Sequence, residues 1–210
     1  MNLSDAIEDL YTRCPGIPDE LLITAYRDAA RRFLRRVRAW VIDSPTWTQG
    51  TTTAEYLPTL PTDAELVDIQ YPKHADTDIE RLTYDQAVGR GWPATGTVRG
   101  TRLAGTDSII VMPDPGTDIS ADLAARLVLR PTRDATTIPD DIVRRFNDAL
   151  EYGALMLVYA TPGHALSSAN SSQFYRTLFE DLIDVYETYA GDGNMRGINR
   201  TVRYNAPGSY

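Results

Sequence analysis

Histidine and cysteine, on which most metal and nucleophilic sites depend, are nearly missing. The 210-residue chain holds two histidines and one cysteine. A single cysteine excludes an internal disulfide. His74 and His164 stand apart, outside any HExxH pattern and away from other ligands at fixed spacing, whereas a zinc site needs three or four ligands. Both lie beside turn residues and read as exposed loop histidines. Cys14 precedes a proline in a helix break. No neighbouring base or basic cluster marks it as a nucleophile, so it reads as a small buried apolar side chain.

Phosphate-binding and hydrolase signatures are absent too. The chain has no GxSxG elbow and no GxxxxGK[ST] loop. Gly89-Arg90-Gly91-Trp92-Pro93-Ala94-Thr95-Gly96 is glycine-rich, but its spacing is wrong for a dinucleotide loop and it reads as a turn. The paired carboxylates Asp140-Asp141 and Glu180-Asp181 are adjacent on helices, so each pair diverges by about 100° instead of converging on a substrate. The expectation is a protein that is not an enzyme and takes no cofactor or metal.

Long apolar runs are also lacking. None reaches the ~20 residues that a membrane-spanning helix needs. The start, Met1-Asn2-Leu3-Ser4-Asp5, lacks the basic and apolar character of a signal peptide. Synthesis in a cytoplasm without membrane association is expected. Basic residues are outnumbered, 21 against 29 acids, for a net charge of −8. Such an excess disfavours nucleic-acid binding through the global field, since affinity there rests on phosphate neutralisation.

What is present is ordinary globular material, 42% hydrophobic and 24% charged. A chain this long hides roughly 70% of its unfolded surface on folding. Leu3, Ile7 and Leu10 predict a short helix over 3–12, broken by Cys14-Pro15-Gly16-Ile17-Pro18. Leu22, Tyr26, Ala29, Phe33, Val37 and Trp40 predict a second helix from Asp19 to about Trp40. Residues 51–130 are rich in Thr, Gly and Pro, with strands expected at 65–71, 108–112 and 122–130. In the last of these, Leu123, Ala125, Leu127 and Leu129 alternate with Ala124, Arg126, Val128 and Arg130. A short helix is expected around 84–88.

Helical spacing returns at Pro139, with Ile142, Phe146, Ala149, Leu150, Gly153, Ala154, Leu157 and Val158 as its buried stripe. A last helix over 171–189 is expected to be lined by Phe174, Leu178, Leu182, Val185 and Tyr189, with Gly191 as its cap. Residues 191–210 have four glycines, Arg196, Arg200 and Arg203, one acid, and no helical period. They read as an extended arm. The fold class is therefore α+β.

Six arginines crowd residues 27–38, with one acid among them. Three readings stay open: a solvated face, a contact with acidic groups on a partner or second copy, and a phosphate grip.

Laid in order, these segments resemble a known family. The sequence runs from Cys14-Pro15-Gly16-Ile17-Pro18-Asp19 through the arginine-rich helix to Leu60-Pro61-Thr62-Asp63-Ala64-Glu65. Then come Ile109-Ile110-Val111-Met112-Pro113-Asp114-Pro115, the strand ending Leu129-Arg130-Pro131-Thr132, Ile138-Pro139-Asp140-Asp141, Gly153-Ala154-Leu155 and Phe174-Tyr175. This order over roughly 3–190 resembles the bacteriophage head-to-tail adaptor (neck connector) proteins, the larger podovirus type related to tail tubular protein A. The resemblance implies a helical bundle, here 1–48 and 131–190, with an inserted antiparallel β domain over 49–130; the arm over 191–210 lies outside it and is read from composition alone.

It also implies a ring of about twelve copies between the portal protein and the tail nozzle or tail tube, located in the virion neck. Genomic DNA would pass its channel without sequence-specific binding. The expected partner or oligomer contacts are Arg27, Arg31, Arg35 and Arg38 on the helix, and Arg196, Arg200, Arg203 and Tyr204 on the arm. The alternative is a nucleic-acid-binding protein that uses the arginines of 27–38.

Overall fold

The computed structural model describes residues 1–43 and 45–191. Three long helices form a bundle that sits against two β-sheets. One buried cluster links them, running from Phe33 in the bundle through Leu127 of one sheet to Ile109 of the other.

The first expected helix is split into α1 (Leu3–Ala6) and α2 (Glu8–Arg13). The start of the chain is tied down: Asn2 bridges Thr137, and the Leu3 amide donates to Thr136 O at 2.9 Å. Ile7, at φ −94° and ψ 0°, then re-aims the chain. Leu3, Ile7 and Leu10 are still all buried. The arginine-rich helix α3 (Asp19–Val37) buries Leu22, Tyr26, Ala29, Phe33 and Val37 as its spacing predicts. It stops three residues before Trp40. Arg38 takes a left-handed conformation, φ 57°, and its amide closes on Leu34 O, a common helix ending. Trp40 O instead accepts from Leu129 N.

Trp40 thus leads into strand β1 (Val41–Asp43). The four-stranded antiparallel sheet has the order β1, β9 (Leu123–Pro131), β4 (Ala64–His74), β5 (Thr77–Asp78). The alternation read for β9 holds, with Leu123, Ala125, Leu127 and Leu129 buried; Val128 on the other face is buried as well. β4 is longer than its expected 65–71 and carries two irregularities, one beside Tyr71, whose φ is 50°.

The second sheet has the order β2 (Trp47–Gln49), β3 (Glu55–Pro58), β8 (Ser108–Met112), β7 (Gly100–Ala104), β6 (Glu80–Arg81). Its pairs are antiparallel except β6–β7, which is parallel. This departs from the all-antiparallel expectation. The connection from β6 to β7 contains α4 (Tyr84–Gly89), and a parallel pair requires such a crossover. Thr83 and Gln86 form a capping box on α4, which explains why so short a helix is legible in sequence. The first two strands begin before residue 49, and β9 ends at Pro131.

α5 (Asp140–Ala160) and α6 (Ala169–Gly191) complete the bundle with α3. Phe33, Phe146 and Tyr186 join the three helices, with ring centroids 5.0 to 5.9 Å apart. Phe146 leaves helical geometry, at φ −123° and ψ 19°, and kinks α5 there. Gly153 marks the closest approach: a Cβ there would lie 2.8 Å from both Ala29 Cβ and a Phe179 ring carbon.

α6 departs from the sequence reading. Its buried side chains are Phe179 and Ile183, with Tyr175, Leu182 and Tyr186 packed beside them. Phe174 and Val185, expected to line the core, are 59% and 38% exposed. Residues 174, 178 and 185 lie on a second apolar stripe, turned away from the bundle. Helical spacing reveals a stripe; it does not say which of two stripes meets the core.

Candidate partner interface

Among the described residues, no group of three His, Cys, Asp or Glu side chains is arranged to hold a metal. Cys14 is fully buried, and burial pushes its thiol pKa up, which suits a packing residue. Neither histidine is the exposed loop residue expected from sequence. His74 ends β4 opposite Thr77 and is half-buried. His164 is half-buried with Nε2 2.9 Å from Val158 O, closing the turn after α5. Gly89 closes α4, and the chain from Gly91 to Ala94 lines a surface groove.

The arginine row of α3 is largely engaged within the chain. Arg27 donates to Ala135 O at 3.3 Å. Arg31 donates to Pro131 O at 2.6 Å and to Glu65 at 2.9 Å, and Glu65 also accepts from Arg130 at 2.5 Å. Arg31, Glu65 and Arg130 therefore tie helix to sheet. Arg38 and Arg81 both approach the buried carboxylate of Asp68, at 3.5 and 2.7 Å. Arg36 reaches three acids of α6: Glu180 at 2.7 Å, Asp184 at 3.1 Å and Glu187 at 2.9 Å. Arg32 points its guanidinium at Met156 Sδ. Arg35 is exposed and has no partner among the described residues.

Guanidinium groups already paired with carboxylates make a poor phosphate grip, because a phosphate must displace the carboxylate to bind. The geometry thus does not gather the α3 arginines into a free basic face. Arg196, Arg200, Arg203 and Tyr204 lie outside the described residues.

One ionisable group in the bundle is set apart by its surroundings. Glu151 of α5 is 4% exposed. Burial raises its pKa, partly offset by Arg13 at 3.5 Å and by the Asn147 amide donating at 2.6 Å. Paired with Arg13 and Asn147 inside the bundle, it is a structural acid.

The sequence reading did not identify the surface apolar features. Tyr84 and Val88 of α4 are each 65% exposed. Val88 borders an open groove of about 300 Å³ lined also by Trp92, Pro93, Met112 and Pro113. These residues come from α4 and the loop that follows it, and from the end of β8. The only available signal was the Trp92-Pro93 pair in a turn.

Among the described residues, no helix is long and apolar enough to cross a membrane. No curated protein matches the chain. The family model described as SU10 adaptor protein matches residues 1–203, which spans the helical bundle, both sheets and most of the arm segment. The chain therefore belongs to the SU10 adaptor protein family, phage structural adaptors of the head-to-tail type.

Proposed function

We propose that the protein forms a ring of about twelve copies in the virion neck, joining the portal to the tail nozzle or tail tube and lining the DNA exit channel. The family match over residues 1–203 carries this reading. The net charge of −8 supports it, since an acidic lining lets DNA slide without sticking. The ion pairs of Arg31, Glu65 and Arg130, which brace the helical bundle to the four-stranded sheet, suit a body that holds position.

In this reading residues 192–210 attach the ring to the portal. They carry Arg196, Arg200 and Arg203 against one acid, opposite in sign to the chain as a whole. Truncation after residue 191 tests this. The truncated chain keeps its melting temperature and loses most of its binding to the portal of the same phage in a pull-down. Unchanged portal binding contradicts the assignment of the arm.

A further inference from the structure

Two unpartnered surfaces on this chain have complementary chemistry. The first is the outer stripe of α6. Phe174 is 59% exposed and Val185 38% exposed, with half-buried Leu178 between them. These positions stand at i, i+4 and i+11 of one helix face. Asp181, at i+7, is exposed and unpaired among the described residues. Beside it lie Glu180, Asp184 and Glu187, three carboxylates that share the single Arg36. The stripe is apolar with an acidic border.

The second surface is the groove beside α4. Tyr84 and Val88, one turn apart, continue the groove wall onto the open face of the helix. Arginines border it. Arg102 sits over the Tyr84 ring at 5.2 Å and Arg90 over the Trp92 ring at 5.9 Å. Arg99 is exposed, with no side-chain partner among the described residues. Tyr, Trp and Arg side chains grouped around a groove, Tyr84 and Arg99 exposed and Trp92 half-buried, have the composition of interface hot spots.

We infer that the outer stripe of α6 on one copy seats in the α4 groove of a second copy. Phe174, Leu178 and Val185 enter the groove against Val88, Trp92 and Met112, and the acidic border, Asp181 foremost, faces Arg99 and Arg102. An amphipathic helix laid into an apolar groove is a recurrent recognition mode, and opposite charges at the rim fix its register. The two surfaces are different patches of one chain, so the contact is head-to-tail. Repeated around an axis, such a contact closes a ring. The inference rests on the ring reading above and identifies the surfaces that make the ring.

Phe174→Asp and Val88→Asp each place a charge on an exposed position, so both variants fold and keep the wild-type melting temperature. Sedimentation of the full chain, alone and with the portal of the same phage, reads assembly. The wild type assembles. Each variant alone is weakened about 30-fold or more, the loss typical of a hot-spot residue. Mixed in equal amounts, the two variants form dimers and stop there, because each pair retains one intact groove and one intact stripe. Asp181→Arg gives a second reading without a change in the apolar contact: its assembly weakens, and added salt narrows its difference from wild type.

Assembly of either aspartate variant as tightly as wild type overturns the contact. So does the absence of dimers in the mixture. A wild type that stays monomeric both with and without portal overturns the ring reading itself, and this inference falls with it.

Discussion

Glu65 holds two arginines at once, Arg31 from α3 and Arg130 from β9, with all three side chains no more than 22% exposed. Removing the acid leaves two partly buried cations facing each other. Glu65→Ala should therefore cost about 2–4 kcal/mol, more than an ordinary surface ion pair. The drop in urea midpoint measures it, and a midpoint within error of wild type contradicts this role.

Glu151 behaves in the opposite sense. Its folded pKa is raised by burial, so its stabilising contribution is complete below the unfolded value near ~4.3 and is lost as pH rises through the folded value. Glu151→Gln removes the titration and keeps a partner for Asn147. The variant should gain stability relative to wild type between pH 4 and pH 7, read as a growing difference in melting temperature. A difference that stays flat over this range contradicts the assignment.

At this scale the sequence was partly legible. The break at Cys14-Pro15 and the apolar stripe of α3 announced which side chains are buried. The partners of the α3 arginines were not announced, because the acids they meet lie 30 to 151 residues away. Local spacing carries no information about such pairs.

Elements were legible where local physics decides them. The strand alternation of β9, the capping box of α4 and the proline start of α5 each have a local signature. The parallel pairing of β6 and the outward stripe of α6 depend on what packs alongside, and spacing could not supply that. Helix packing makes its own prediction at Gly153. Alanine there improves helix propensity by about 1 kcal/mol. Its Cβ would lie 2.8 Å from Ala29 Cβ and Phe179, an overpacking that costs about 1–3 kcal/mol. The clash outweighs the propensity, so Gly153→Ala destabilises. Gly89→Ala, where no atom lies within 4 Å of the added carbon, should be neutral or stabilising. Thermal unfolding of the two variants separates them, and a stabilised Gly153→Ala means the helices are not in close contact there.

For the whole molecule, family membership and structure point the same way. The bundle is braced to the four-stranded sheet by Arg31, Glu65 and Arg130, and within itself Arg36 ties α3 to α6. Among the exposed apolar patches are the outer stripe of α6 and the groove beside α4. In the head-to-tail ring proposed above, each would cover the other. The sequence announced the adaptor reading through the order of its segments. It hid the surfaces that would join copies, because a groove built from residues 88, 92 and 112 exists only after folding.

Native mass spectrometry of the purified chain, alone and mixed with the portal of the same phage, tests the central claim most directly. The account predicts a closed ring, formed either by the chain itself or on the portal, with a stoichiometry matched to the portal. A chain that remains monomeric and leaves the portal unbound would contradict it.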